Sequence, residues 1–326
     1  MTTNIVLFVI GLLMLYFGAE WLVKGSSSLA RSLGLTPLVI GLTVVAFGTS
    51  APEMVISIVS SVKHKSMIAV GNVIGSNICN IALVLGLAAA IHPIEGSPPV
   101  VRRDIPIMLG ISCYLLLISL NDNIGRFEGI TLLCGITLYI CFNYFTAVGE
   151  FRRAPETGSV AFESAAVGIG YIESRSRQIV LIVAGITGVI VGAEVLVEAA
   201  VAMMQKFGVS EKFIGLTVVA FGTSLPELAT SVVAALKKEM DISIGNLVGS
   251  NVFNILGVLG AASLIRPIPI PGGFVQSGLL YDYLVMMVIS LLPWLMMRKT
   301  FTLKRKDGVI LLCCYAGYIA YLVFKT

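Results

Sequence analysis

The residues of this chain best suited to chemistry form a short motif of two hydroxyls, a proline and a carboxylate. Residues 48–53 read Gly-Thr-Ser-Ala-Pro-Glu, and apolar sequence surrounds them on both sides. Proline has no N–H and clashes with the carbonyl four residues earlier, so a helix must kink or unwind there. Broken backbone exposes carbonyl oxygens, and Thr49, Ser50 and Glu53 add further oxygen ligands. Hard oxygen donors of this kind favour Na⁺ and Ca²⁺ over zinc or copper.

A second cluster of polar residues lies on the next predicted helix. Asn72, Ser76 and Asn80 occur at intervals of four residues, which places them on one helical face. A polar stripe on an apolar helix faces a partner helix or a cavity, and hydrogen bonding between helices is an alternative explanation for it. Glycines in this segment and in its second copy predict a close approach of neighbouring helices. They are Gly71, Gly75, Gly245 and Gly249.

Both clusters occur twice in the chain. Residues 41–86 align without a gap to residues 215–260, with 26 identities in 46 positions and an offset of 174. The second copy supplies a second set of oxygen-bearing residues, namely Thr223, Ser224, Glu227, Ser250 and Asn254. A carboxylate inside an apolar segment is expensive to bury and is a functional candidate by default. Because Glu53 and Glu227 both follow Thr-Ser-x-Pro, the repeat favours a functional role for the pair over a purely structural one.

The composition predicts a membrane protein. The chain has 326 residues, of which 57% are hydrophobic and 12% are charged, whereas soluble domains carry about 25% charged residues. The sequence has no basic cluster with interleaved aromatic residues, as nucleic-acid binding would need. It also lacks the nucleophile–base pair or nucleotide loop of an enzyme, and nothing in it indicates an obligate protein partner. Ten apolar segments are long enough to span a bilayer. They lie at about 4–24, 37–62, 67–91, 104–120, 127–147, 178–201, 211–236, 242–265, 279–297 and 307–325.

The longest polar connection divides these segments into two sets of five. We predict a first five-helix repeat at 1–147, a linker at 148–177 and a second repeat at 178–326. Because five is odd, the second repeat enters the membrane from the opposite side, an arrangement typical of secondary transporters. One set of alternate loops holds fifteen Lys and Arg residues and the other segments hold seven. The positive-inside rule then places both termini outside and the linker in the cytoplasm.

Other ionisable residues lie nearer the predicted membrane edges. Glu20 precedes Lys24 by one turn, and an ion pair near the surface or on a gate helix is favoured over ion ligation for it. Glu194 is its counterpart in the second repeat, and ligation stays an open alternative for both. The same interpretation is favoured for Glu198, Asp104 and Asp282, and helix-end positions are expected for Asp104 and Asp282. Loop positions are expected for His64 and His92.

The paired motifs resemble the two alpha-repeats of the Ca²⁺:cation antiporter (CaCA) superfamily. The likeness covers the whole chain and is greatest to prokaryotic sodium/calcium exchangers, including those related to K⁺-dependent exchangers. It implies an all-α fold in a prokaryotic inner (plasma) membrane, with ten spans in two inverted repeats. The second, third, seventh and eighth spans would form a core across which the first and sixth slide. The implied ion ligands are the carbonyls of Ala46 and Ala220 and the side chains of Thr49, Ser50, Glu53, Ser76, Asn80, Thr223, Ser224, Glu227, Ser250 and Asn254.

The chain departs from some members of the superfamily in having two, and not three, carboxylates among the implied ligands. Some members carry an acidic residue at the position of Asn80 or of Asn254, whereas this chain has asparagine at both. The asparagines argue against K⁺ co-transport of a kind that needs a third carboxylate. Glu53 and Glu227 give a charge that one Ca²⁺ or two Na⁺ would neutralise, so exchange with a third Na⁺ would move net charge. We expect Ca²⁺ extrusion driven by Na⁺ entry, with no cofactor and with protons as competitors. A Ca²⁺/H⁺ antiporter is the nearest alternative, and a cation channel is a further one.

Overall fold

The computed structural model describes residues 2–153, 171–207 and 220–325. The chain divides into two compact units that each draw on both halves of the sequence. The first unit comprises Met1–Thr49 and Tyr139–Asn246, and the second comprises Ser50–Leu138 and Leu247–Thr326. These units therefore cut across the predicted repeats, whose division along the chain stays a prediction. Much of the predicted linker and the start of the seventh predicted span lie outside the described residues.

Helices account for most of the described first half. They are α1 (Thr2–Ser32), α2 (Pro37–Ile40), α3 (Ala46–Thr49), α4 (Ala51–Val62), α5 (Ser66–Ile78), α6 (Gly86–Ile91), α7 (Ile105–Ser119) and α8 (Arg126–Arg153). Wider π-helical turns join some of these helices into continuous segments. They lie at Gly41–Val45, Cys79–Leu85 and Val100–Asp104.

The described part of the second half is also mostly helical. Its helices are α9 (Arg175–Lys206), α10 (Ala220–Gly222), α11 (Leu225–Leu236), α12 (Met240–Val252), α13 (Gly260–Ile265), α14 (Gly273–Gln276), α15 (Leu279–Met297) and α16 (Arg305–Lys325). A π-helical segment at Phe253–Leu259 joins α12 to α13, as Cys79–Leu85 joins α5 to α6.

Seven helices in the described part of the chain are long and apolar enough to cross a membrane, and the bent pair Pro37–Thr49 and Ala51–Val62 makes an eighth. The fourth predicted span is represented by α7, which has 15 residues. The seventh predicted span is described only from Ala220 onward. The protein is thus a predominantly helical membrane protein, and the arrangement of ten spans in two inverted repeats stays a prediction.

Two very short strand pairs connect loops within the second unit. Ile94–Glu95 (β1) pairs antiparallel with Thr302–Leu303 (β4), and Asn123–Ile124 (β2) pairs with Ile268–Pro269 (β3). Loops that pair lie on the same side of the membrane, so the chain crosses an even number of times between them. The predicted spans agree with this requirement, because six lie between the loops of the first pair and four between those of the second.

The first unit is built around close contact between α1 and α9. Both helices carry glycines along the contact, and the absence of side chains there lets the two backbones approach each other. A Cβ atom added at Gly18 would lie 2.8 Å from the carbonyl carbon of Gly188, and one added at Gly185 would lie 2.5 Å from the backbone nitrogen of Leu22. Any side chain larger than hydrogen at Gly18 or Gly185 would therefore force the helices apart.

The predicted close approach at the glycines of the repeated motif is confirmed at one position. A Cβ atom at Gly245 would lie 2.9 Å from the backbone oxygen of Leu38. At Gly71 and Gly75, apart from the glycine, its chain neighbours and the nearby backbone of its own helix, no atom of the described residues lies within 4 Å of the Cβ position.

Candidate functional site

The helix break predicted at the first copy of the motif is confirmed. The helical segment Pro37–Thr49 is bent by 46° relative to Ala51–Val62, and Ser50 is the residue between them. Pro52 lies in the first turn of α4, where its missing N–H leaves no intrahelical hydrogen bond unmade. The proline thus ends one helix and starts the next.

The second copy begins its helix in the same way. Ser224 precedes α11, Pro226 lies in the first turn, and the three-residue helix Ala220–Gly222 comes before it. The backbone preceding Ala220 lies outside the described residues, so the break is described on one side only.

The two carboxylates occupy matched places at the start of these helices. Glu53 lies in the first turn of α4 in the second unit, and Glu227 lies in the first turn of α11 in the first unit. Both residues are fully buried, at 0% exposure. The positive end of a helix dipole favours a carboxylate at this place. Even so, a carboxylate that loses its water needs charge compensation, which a bound cation provides.

In each copy of the motif, an asparagine on the following helix acts as a hydrogen-bond donor to the helix that carries the buried glutamate. In the second unit, Asn72 Nδ2 donates to Ser57 Oγ at 3.0 Å and to the backbone oxygen of Glu53 at 3.3 Å. In the first unit, Asn246 Nδ2 donates to Ser231 Oγ at 3.0 Å. These contacts give the first residue of the predicted polar stripe a structural role in both copies.

The threonines before the helix breaks differ between the copies. Thr49 Oγ1 donates to Asn246 Oδ1 at 3.0 Å within the first unit. Thr223 Oγ1 is buried without a hydrogen-bond partner among the described residues, as is Ser224 Oγ beside it. A buried hydroxyl without a partner costs free energy unless a ligand or water serves it.

The predicted ligands are divided between the two units, and nearly all are buried. In the first unit, the residues with described burial are Ala46, Thr49, Ser224 and Glu227 at 0% exposure, and half-buried Thr223. Ala220 begins α10. In the second unit, exposure is 3% or less for Ser50, Glu53, Ser76, Asn80, Ser250 and Asn254. Their role as ligands stays a prediction.

Asn80 and Asn254 lie in the matched π-helical segments of the second unit. Asn80 belongs to Cys79–Leu85 and Asn254 to Phe253–Leu259. Each donates through Nδ2, yet the Oδ1 atom of each is buried and has no hydrogen-bond partner among the described residues. Each therefore presents a buried acceptor oxygen, the kind of atom that binds a hard cation. Local π-helical turns occur frequently at functional sites.

The acidic residues near the membrane edges have partners that the sequence did not reveal. Glu20 pairs with Lys237 at 2.6 Å rather than with the predicted Lys24. The hydrogen bond to the Glu20 carboxylate raises the pKa of Lys237 above its ordinary value. Arg31 pairs with Glu239 at 3.0 Å, also within the first unit. Both pairs connect α1 to the turn that follows α11.

Other residues at the predicted membrane edges are accounted for locally. Asp104 is fully buried and accepts two hydrogen bonds from the Arg103 guanidinium, at 2.8 and 3.2 Å. Asp282 lies in the first turn of α15, as expected of a residue at a helix end, and Tyr318 donates to it at 3.2 Å. The exposed Glu194 and Glu198 lie on α9.

Comparison with known proteins assigns this chain to a family. The sequence profile described as Sodium/calcium exchanger protein matches residues 3–148 and again residues 177–324. The chain belongs to the sodium/calcium exchanger family. It is similar to the putative antiporter CaxA of Alkalimonas amylolytica, with 36% identity over 320 residues that cover 97% of each chain. It is also similar to the sodium/calcium exchanger MaX1 of Methanosarcina acetivorans, with 30% identity over 351 residues and 99% of each chain covered.

A solved structure supports the same assignment. The sodium-calcium exchanger NCX_Mj superposes with a TM-score of 0.81 at 33% sequence identity, and the match covers 98% of each chain. The protein is therefore a membrane transporter of the exchanger type and a member of the CaCA superfamily. Its relatives are antiporters and exchangers, so it is not an enzyme.

Proposed function

We propose that this protein exchanges Na⁺ for Ca²⁺, extruding Ca²⁺ at the expense of Na⁺ entry. The observation that carries the proposal is the pair of fully buried carboxylates, Glu53 and Glu227, at matched positions of a duplicated motif. Every other predicted ligand in the two motifs offers oxygen, either from a hydroxyl, an amide or a backbone carbonyl. Oxygen ligands with carboxylates suit Ca²⁺ and Na⁺, and the ions are cargo, so no cofactor is required.

The charge of the two glutamates explains how the fluxes would be coupled. Two carboxylates carry a charge that either one Ca²⁺ or two Na⁺ can neutralise. Without a cation, the charged groups would be costly to carry through a state shielded from water. The empty transporter therefore would not change the side to which it opens, whereas the loaded transporter would do so, as alternating access requires. A third Na⁺ per Ca²⁺ would make the exchange electrogenic.

The direction of transport depends on orientation in the membrane. We propose that both termini lie outside the cell and that the 148–177 linker lies in the cytoplasm, because Lys and Arg are concentrated in one set of loops. In a prokaryotic plasma membrane, the inward Na⁺ gradient would then drive Ca²⁺ outward.

A Ca²⁺/H⁺ antiporter is the second candidate, because Glu53 and Glu227 could carry protons as well as Na⁺. The two candidates differ in the gradient that they use. We would reconstitute the protein in Na⁺-loaded liposomes, dilute them into Na⁺-free or Na⁺-matched buffer, and measure the uptake of radioactive Ca²⁺. Uptake that requires the outward Na⁺ gradient supports Na⁺/Ca²⁺ exchange. Uptake that ignores Na⁺ and follows an imposed pH gradient supports proton antiport instead, and single-channel currents in a planar bilayer would indicate a channel.

A further inference from the structure

Four buried asparagines form a reciprocal network within the second unit. Asn77 lies on α5 and Asn251 on α12, three residues before Asn80 and Asn254 respectively. All four are at most 1% exposed. Asn80 and Asn254 belong to the predicted ligand set, whereas the sequence assigned no ion contact to Asn77 or Asn251.

Asn77 and Asn251 fix the orientation of each other's amide groups. Asn77 Nδ2 donates to the backbone oxygen of Asn251 at 3.3 Å, and Asn251 Nδ2 donates to the backbone oxygen of Asn77 at 3.4 Å. An asparagine amide has a donor nitrogen on one side and an acceptor oxygen on the other. With both nitrogens committed to backbone carbonyls, each side chain must present its Oδ1 atom to the remaining neighbour.

The remaining neighbours are the two predicted ligands, and the pairing is crossed. Asn254 Nδ2 donates to Asn77 Oδ1 at 3.0 Å, and Asn80 Nδ2 donates to Asn251 Oδ1 at 3.2 Å. Each of these bonds captures the nitrogen of a ligand amide and turns its oxygen away from the network. Those two oxygens are the buried Oδ1 atoms that have no hydrogen-bond partner among the described residues.

We propose that Asn77 and Asn251 are positioning residues that hold Asn254 and Asn80, respectively, with the amide oxygen toward the transported cation. This inference rests on the proposed function, because it assumes that the cation meets those oxygens. A rotated amide would present its N–H₂ group, which repels a cation and supplies no lone pair. Residues that orient the ligands of a metal typically change its affinity by about 10- to 100-fold when they are removed.

The crossed pairing gives the inference a specific test. Asn77→Leu removes the acceptor that holds Asn254 and keeps a side chain of similar size. We expect the Michaelis constant for Ca²⁺ in Na⁺-driven uptake to rise about 10-fold or more. In an Asn254→Asp background, the same substitution should change that constant less than about two-fold, because a carboxylate presents oxygen in either orientation. In an Asn80→Asp background, Asn77→Leu should keep its full effect.

A merely structural role for Asn77 would give equal effects in all three backgrounds, and that result would overturn the inference. Rescue by Asn80→Asp in place of Asn254→Asp would overturn it as well. The mirror test uses Asn251→Leu, for which Asn80→Asp should relieve the defect and Asn254→Asp should not. It applies equally if Asn77→Leu does not yield folded protein. Wild-type protein without Na⁺-driven uptake would refute the proposed function itself, whereas active wild type with an unaffected Asn77→Leu variant refutes only the positioning role.

Discussion

The ion pair between Glu20 and Lys237 predicts a transport defect that depends on the side from which Ca²⁺ is offered. The pair connects α1 to the turn after α11 within the first unit, with 2.6 Å between Oε1 and Nζ. The family resemblance implies that α1 slides during transport. A transporter of this kind alternates between two facing states, one open to each side of the membrane. A contact that α1 makes in one facing state and loses in the other would stabilise the state in which it is made.

The structure limits how large this effect can be. The side chains of Lys237 and Glu20 are 35% and 30% exposed, and partly exposed ion pairs contribute about 0.2–1 kcal/mol. Removing the pair should therefore shift the balance of facing states by about 1.5- to 5-fold. Apparent Ca²⁺ affinity should rise on one side of the membrane and fall on the other, by at most that factor.

The raised pKa of Lys237 fixes the pH range of the effect. A base whose pKa is raised in the folded protein contributes stability below its ordinary pKa and loses it only as the pH rises through the higher folded value. The ordinary value for Lys237 is 10.5. Both pH 7 and about pH 9 lie below this value, so the lysine stays protonated. The change in apparent Ca²⁺ affinity on removing the pair should therefore be no weaker at pH 7 than at about pH 9.

The assay is Na⁺-driven Ca²⁺ flux in proteoliposomes with the protein in a known orientation, measured with Ca²⁺ offered to each side. Lys237→Gln should change the two apparent affinities in opposite directions, and the charge-swapped variant with Glu20→Lys and Lys237→Glu should restore them. Lys238→Gln, at the exposed neighbouring lysine, is the matched control. Equal changes on both sides, or no recovery in the swapped variant, would refute a role in the balance of facing states.

Two further predictions concern helix packing and protons. Gly185→Ala should destabilise the protein by about 1–3 kcal/mol, because the added Cβ meets the backbone of Leu22 at 2.5 Å. The control is Gly317→Ala, where the described residues leave the Cβ position open, and equal thermal unfolding midpoints of the two variants in detergent would contradict the packing argument. Na⁺-driven Ca²⁺ uptake should also fall between neutral pH and about pH 5 as protons compete for the carboxylates. Uptake that stays constant over that range would count against Glu53 and Glu227 as cation ligands.

The break in the helix and the burial of the glutamates could be predicted from the sequence because both follow from local chemistry. Pro52 cannot continue a helix through Gly48, whatever the surroundings, so the bend at Ser50 needed no tertiary information. The burial of Glu53 and Glu227 followed from their apolar flanks. Because the same motif occurs twice, two weak indications together became a strong one.

The π-helical segments and the crossed asparagine network could not be predicted in the same way. Helical periodicity assumes 3.6 residues per turn, so the stripe of Asn72, Ser76 and Asn80 gave no sign that the turn widens at Cys79–Leu85. The bonds between Asn77 and Asn251 join residues 174 positions apart, which only the tertiary structure brings together. The repeat did place both asparagines at matched positions, and that symmetry was the one available signal.

Long-range contact also explains why one predicted ion pair was wrong. Lys24 lies one turn from Glu20, and local helix rules favour that pairing. Packing of α1 against α11 instead brings Lys237 to the carboxylate. Pair energies on a single helix are only about 0.2–0.5 kcal/mol, so a contact made by tertiary packing can override them.

The most direct test of the central claim is Na⁺-driven uptake of radioactive Ca²⁺ by Glu53→Gln protein in liposomes. Glu198→Gln is the matched control, because it makes the same chemical change at an exposed glutamate on α9. We predict that Glu53→Gln abolishes uptake and that Glu198→Gln retains it. Uptake by Glu53→Gln at the wild-type rate, with the same dependence on the Na⁺ gradient, would contradict the assignment of this buried carboxylate to the transported ions.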